Sequence, residues 1–242
     1  MWRDELRGIY YIALKDMRTY YFKPPAVSWG VVFPVVWILA FYLRNPQNFE
    51  DLIPGLIAMT ILFSTTAAEA VVINFELKLG SLERLLLAPI SIASVLIGKV
   101  LGGFIFGIFM TAIVAFVSIL SLGLHANFLA LIMVAVSSLL VFSSMGAFFS
   151  VAVKEVFEAQ TLLNLPRFVM IFLCGVVYPI SAMPEWLQHI SRLMPLTYTV
   201  DGLARSFSLG STSSIFPDLL VLVGYSLILI IPAIKMLNKK FE

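Results

Sequence analysis

A chain of 242 residues that is 60% apolar and 12% charged, with a mean hydropathy of +0.99, lacks the ionisable surface of an ordinary soluble domain. Its 16 basic and 14 acidic residues leave a net charge of +2, so their distribution along the chain is more informative than their sum. The single cysteine, Cys174, excludes a disulfide framework, and with His125 and His189 as the two histidines a zinc site is excluded as well.

In residues 1–25, Trp2, Leu6, Ile9, Ala13, Met17 and Tyr20 recur at helical spacing, while Arg3, Arg7, Lys15 and Arg18 hold other positions. This pattern reads as an interfacial helix on the cytoplasmic leaflet, or else a cytosolic helix packed on the rest of the protein. It has no apolar core of the kind a cleavable signal peptide needs, and Pro24-Pro25 is expected to end it. Apolar runs follow at about 27–43, 52–75, 93–122, 128–152, 165–183 and 215–235. Each is long enough to cross, or nearly cross, a hydrocarbon core of about 30 Å. The expectation is an all-α membrane protein with six transmembrane helices in one domain spanning 1–242. The fifth run holds Pro166, Gly175 and Pro179, with Pro184 beside it, and is expected to bend or break.

Between the second and third runs charges interrupt the apolar sequence. Over 76–90 Glu76, Lys78, Glu83 and Arg84 alternate with Leu79, Leu82 and Leu86 at helical spacing, and Pro89 stops the pattern. A short amphipathic helix on the inner side of the membrane, accessible to a soluble partner, fits these residues. Gly98-Lys99 opens the next run, where Gly98, Gly102, Gly103 and Gly107 form small-xxx-small patterns suited to close packing within one subunit or to a dimer contact. Lys154, Glu155 and Glu158 lie between runs four and five, as a solvated turn or a second contact for that partner. The long region 184–214 carries Trp186, Leu187, Ile190 and Leu193-Met194 at helical spacing, indicating short outer-face helices between runs five and six.

Basic residues set the orientation. With the N-terminus inside, Arg3, Arg7, Lys15, Arg18, Lys23, Lys78, Arg84, Lys99, Lys154, Arg167, Lys235, Lys239 and Lys240 are cytoplasmic, against Arg44, Arg192 and Arg205 outside. Both termini are therefore expected in the cytoplasm.

Two stretches resemble the ABC-2 type transporter permeases. The first is Glu76, Gly80, Leu82-Glu83-Arg84-Leu85, Pro89 and Gly98-Lys99; the second is Pro184, Trp186, Pro195-Leu196-Thr197-Tyr198, Asp201 and Arg205. The resemblance implies that 76–90 is a coupling helix docking on an ATP-hydrolysing subunit, with Glu76, Gly80, Leu82, Glu83, Arg84, Leu86 and Pro89 as its contact set. It implies a dimer with two copies of that ATPase, which would hold the ATP and Mg²⁺, in the cytoplasmic membrane of a prokaryote. No phosphate-cradling glycine loop occurs in this sequence, so no cofactor, no enzymatic activity and no nucleic-acid partner are expected here.

Glu69 lies about 10 Å deep in the second run if that run is helical. With Ser64 and Thr65 it forms either one wall of a substrate path or a carboxylate satisfied by a neighbouring helix or by Lys99. Phe168, Phe172 and Tyr178 could complete an apolar path or simply pack. The low fixed charge suits amphiphilic drugs or lipid-like compounds, with lipid-linked glycans as the alternative and an ATP-independent carrier as a further one.

Overall fold

The computed structural model describes residues 2–44, 49–153, 155–208 and 212–241, so Lys154 and parts of the 44–51 and 184–214 connections lie outside the described residues. Among these residues all regular structure is helical. Helix is also the form in which a lipid-embedded segment satisfies its own backbone.

Helix α1 (Trp2–Asp16) carries Asp4 and Glu5 in its first turn and Lys15 in its last, matching the helix dipole. A π-helical turn, Met17–Tyr21, leads to the short α2 (Pro24–Val27), and a second π-turn, Ser28–Val32, leads to α3 (Phe33–Arg44). The Pro24-Pro25 pair thus opens a helix as well as separating it from α1, because a first-turn N–H has no helical partner to lose. The remaining helices are α4 (Ile53–Lys78), α5 (Ser81–Leu86), α6 (Ile92–Leu122), α7 (Phe128–Ala152), α8 (Val156–Leu173), α9 (Glu185–Arg192), α10 (Pro195–Phe207) and α11 (Phe216–Phe241).

Among the described residues, four segments are long and apolar enough to cross a membrane: Glu50–Lys78, Ile92–Leu122, Phe128–Ala152 and Thr212–Phe241. The expected six are therefore met at four. The first run becomes a shorter apolar helix, Ser28–Leu43. The fifth, expected at 165–183, sits instead in α8, which starts at Val156 and ends at Leu173, with Cys174 as its C-cap before Gly175 takes a left-handed φ of 79°. Tyr178 consequently lies beyond this helix, in the connection to α9.

Helix α4 is the axis of the bundle. Its most apolar window is 100% buried, against 17% for α11. It is enclosed by α6, α7, α8 and α10, and α11 packs on the outer side of α7. Contact between α4 and the chain after α8 is very close: a Cβ on Gly55 would lie 2.2 Å from the Val176 carbonyl oxygen, so only glycine fits. The region expected as outer-face helices divides in two. α9 leaves Trp186 exposed, whereas α10 buries Leu196, Val200 and Leu203 in the bundle and pairs Thr199 Oγ1 with Ser138 Oγ at 2.8 Å.

Helix α1 lies along α6, where buried Ile12 meets Gly98 and Ala13 meets Gly102. The glycine patterns therefore serve contacts within one subunit: a Cβ on Gly98 would sit 3.0 Å from that of Ile12, and one on Gly107 would sit 2.6 Å from Thr65 Cγ2. Trp2, Leu6 and Tyr10 remain exposed on α1. A separate apolar cluster joins Ile12, Leu82, Val95, Val151 and Leu237. It gathers α1, α5, the start of α6 and the ends of α7 and α11 at one pole of the molecule, called here the α5 pole.

Candidate functional site

The α4–α6 connection forms the exposed feature of the α5 pole. Helix α4 continues past Glu76 to Lys78, then Gly80 turns the chain with a φ of 64° and α5 begins. The amphipathic helix expected over 76–90 is thus the shorter α5 plus its flanking turns, and Glu76 belongs to α4. Leu82 is fully buried and pins α5 to the apolar cluster. Glu83 and Arg84 are exposed, with Leu79 and Leu87 exposed at 59% and 86% and Pro89 exposed nearby. The side chain of Leu86 lies outside the described residues.

Beside this surface runs a groove of about 440 Å³ between α1 and the α5–α6 turn, lined by Asp4, Arg7, Tyr11, Leu85, Pro89 and Ile90 among others. Glu5 on α1 ties the two sides together: its carboxylate accepts from the Ser91 amide at 3.0 and 3.1 Å and from Ser91 Oγ at 3.2 Å. Hydrogen bonds from Ser94 and Ser91 hold the Glu5 carboxyl below its usual pKa. Because Ser91 is also the N-cap of α6, accepting from the Ser94 amide at 3.2 Å, α1 is tied to the point where α6 starts. At the same pole Lys78 pairs with Glu155, and Lys240 donates to the Val153 carbonyl at 2.9 Å.

Behind this face lies a buried ionic cluster. Lys99 Nζ reaches Glu76 Oε2 at 2.6 Å and Asp16 Oδ2 at 3.1 Å, and all three residues are at most 1% exposed. Lys15 pairs with Asp16 at 3.0 Å and also with Glu76. Burial alone would lower the pKa of the Lys15 ammonium, but Asp16 and Glu76 outweigh it and hold the pKa raised. Two cations thus balance two carboxylates contributed by α1 and α4, which makes the desolvation tolerable.

Glu69 sits deeper, between α4, α6 and α7. It is fully buried and accepts from Tyr21 Oη at 3.0 Å and Ser143 Oγ at 3.3 Å. A Cβ on Gly103 would lie 2.1 Å from its Oε2 and one on Gly146 would lie 2.8 Å from its Cβ, so two glycines make room for this carboxylate. Ser64 and Thr65 are also buried and turn their hydroxyls back to the Ile61 carbonyl, at 3.4 and 2.8 Å. Phe168 and Phe172 belong to a different place, the partly exposed seam of α3 and α8. There Phe168 packs on Phe33 and Phe63, and Phe172 packs edge-on to Trp37. The candidate path residues therefore fall into a buried polar set, an aromatic seam and an exposed Tyr178, and the structure does not bring them together.

Sequence reasoning misplaced Arg167, which it counted among the cytoplasmic basic residues. Because α8 begins at Val156, Arg167 stands three turns inside the helix, and it is fully buried against α4. Its Nε donates to Thr66 Oγ1 at 2.7 Å and its Nη1 to Asn164 Oδ1 at 2.9 Å.

Four long apolar helices among the described residues, one of them the buried axis α4, are those of a multi-pass membrane protein. The chain belongs to the ABC-2 type transporter family, whose model matches residues 7–207. It is 26% identical over 240 residues to the "Putative transport permease ycf38" of Cyanophora paradoxa, covering 86% of this chain and 79% of the relative. It is 28% identical over 217 residues to the "Probable multidrug ABC transporter permease YbhS" of Escherichia coli K12, covering 87% of this chain but 52% of that protein. The "Inner membrane transport permease YadH" of the same strain is 29% identical over 197 residues, covering 76% of this chain and 74% of the relative. Membership of this family makes the chain a membrane permease component and implies association with an ABC ATPase subunit.

Proposed function

We propose that this chain is the permease subunit of an ATP-driven exporter of amphiphilic drugs or lipid-like compounds, located in the inner membrane of a prokaryote with both termini cytoplasmic. It acts as a homodimer with two copies of a separate ATPase. The observation that carries this reading is α5: anchored by buried Leu82, it presents Leu79, Glu83, Arg84 and Leu87 outward beside the α1 groove. In this reading the ATPase grips that surface. Closure of the two ATPase copies around ATP pushes α5, and because α5 is joined through short turns to α4 and α6, the push becomes a tilt of both. Differential contact between the two ATPase states and α5 is what shifts the population of permease conformations.

The charge exchange Glu83→Lys with Arg84→Glu, both on exposed positions, is the test. Co-purification with the ATPase and ATP-linked transport should both fall, while the helical content of the permease stays unchanged. Retention of complex and transport would refute the coupling role. YbhS bears the name of a probable multidrug permease, which favours small amphiphiles over glycans for this chain. A substrate-stimulated ATPase assay with both classes separates the two. An ATP-independent, proton-coupled carrier would need Glu69 to cycle protons, so transport driven by a pH gradient alone and abolished by Glu69→Gln would establish that alternative.

A further inference from the structure

Arg167 has no task in the coupling described above, and its surroundings do not neutralise it. Thr66, to which it donates, lies at the midpoint of α4, about 18 Å from either end of that helix. This is the depth at which an isolated charge is least tolerated. The other buried cation at the α5 pole, Lys99, is met by two carboxylates. Arg167 is met by the neutral oxygens of Thr66 and Asn164 and by the face of Phe63, 5.3 Å from its Cζ. Among the described residues no carboxylate pairs with it, and Nη2 has no hydrogen-bond partner although it is buried.

The neighbourhood has the shape of an amphiphile. Gln160, Asn164 and Arg167 follow at helical spacing on α8, with Gln160 Nε2 donating to Asn164 Oδ1 at 3.4 Å, so a polar stripe climbs from the first turns of α8 to mid-depth. Gln160 Oε1 is a second buried atom without a partner on this stripe. Immediately above, Phe168 and Phe172 stand 36% and 58% exposed against Phe33 and Trp37. Pro166 lies inside α8 next to Arg167 and removes the helical hydrogen bond to the Leu162 carbonyl, which makes this turn the place where α8 bends most readily.

We infer that Arg167 is the head-group site of the transported amphiphile, and that this amphiphile carries a phosphate or carboxylate. The inference rests on the exporter reading and narrows its substrate class. Two guanidinium nitrogens are already held by Thr66 and Asn164, so the fork is oriented before the ligand arrives, and Nη2 is left to complete a charge-assisted contact with an anionic oxygen. The tail lies along the Phe168 and Phe172 seam. The head group enters when α8 swings from α4 at Pro166 and brings the counter-charge that the protein does not provide.

The probes are dodecyl phosphate, dodecanoate, dodecylphosphocholine and dodecyltrimethylammonium, each with a brominated tail that quenches Trp37 and Trp29, applied to the full-length permease in a neutral detergent. The two anionic probes should bind about tenfold or more tightly than the cationic one, as expected for one charge-assisted hydrogen bond. Arg167→Gln should abolish that preference, and Arg167→Lys should keep part of it. Equal affinity across the four heads, or a preference that survives Arg167→Gln, overturns the inference. Should Arg167→Gln not yield folded protein, the head-group order on the wild type and on Arg167→Lys decides. Repeating the titration in phosphatidylcholine nanodiscs with and without phosphatidic acid tells a membrane lipid from a free amphiphile, since the lipid competes with the probes only in the first case. If anionic probes bind through Arg167 yet never stimulate the ATPase of the complex, the exporter reading fails and the anion site stands. Stimulation without head-group dependence has the opposite meaning.

Discussion

Lys99 and Gly55 show how much single positions decide in this bundle. Lys99 is the counter-ion of two carboxylates from different helices, so Lys99→Met would leave Asp16 and Glu76 with only the partly exposed Lys15. Breaking a buried pair from one side costs about 3–5 kcal/mol. A large drop in thermal unfolding temperature in detergent is therefore expected. Adding Asp16→Asn should recover much of the loss, because it removes the unpaired charge. Gly55→Ala places a methyl 2.2 Å from a backbone oxygen that no rotamer change can relieve. A loss of about 1–3 kcal/mol is expected for such overpacking. Gly224→Ala is the matched control: nothing lies within 4 Å of its Cβ position, and α11 should be unharmed or slightly stabilised. Equal unfolding temperatures for the two alanine variants would show the α4 contact to be looser than described.

At the scale of elements, the tie between α1 and the α5–α6 turn has a pH dependence with a definite sign. The Glu5 carboxyl is held below its usual pKa by Ser94 and Ser91, so its contribution is fully present above about pH 4.3, the unperturbed value. That contribution is lost as pH falls through the lower folded value. Hydrogen exchange in α1 should accelerate over that acid range, and Glu5→Gln should show the faster exchange already at neutral pH. An unchanged exchange profile in Glu5→Gln would mean that α1 is held by its apolar contacts alone. This tie also illustrates what the sequence could disclose. Helices α6 and α7 were legible because lipid-compatible runs of 31 and 25 residues need no partner to be recognised. The placement of α1 was not, since Lys15 and Glu76 lie 61 residues apart in sequence and nothing local couples them. Arg167 was misread for a related reason. The apolar run at 165–183 hid the fact that α8 starts at Val156, where Gln160 and Asn164 look like loop residues unless the stripe they form with Arg167 on one helix face is recognised. The burial of α10 was equally hidden, since Thr197, Thr199 and Ser206 look solvent-facing until packing satisfies them.

For the molecule as a whole, the membrane reading rests on two separable properties, an apolar girdle and a charge asymmetry between the poles. The girdle includes the face of α11 carrying Leu220, Val223, Leu227, Ile228 and Ile231. Ile228 lies at the middle of that helix and is 66% exposed. Ile228→Lys should cost about 2.5–3.5 kcal/mol of insertion free energy if that face meets lipid, lowering the membrane-integrated fraction, whereas Ile228→Ala should not. The asymmetry survives the structural corrections. Of the thirteen basic residues assigned inside, Lys99 and Arg167 are buried and no longer contribute to a surface field. The eleven that remain still outnumber Arg44, Arg192 and Arg205. Such a bias is what the proposed orientation, with the α5 pole in the cytoplasm and within reach of an ATPase, requires. Cys174, fully buried, can be replaced by Ser, the smallest change of shape, to give a thiol-free background. Single cysteines at Arg84 and Gln188 then report the two poles. A membrane-impermeant maleimide added to intact cells should label the second and spare the first until the membrane is opened. The reverse pattern would put α5 out of reach of any ATP-driven partner and so remove the physical basis for coupling, whatever the family of the chain.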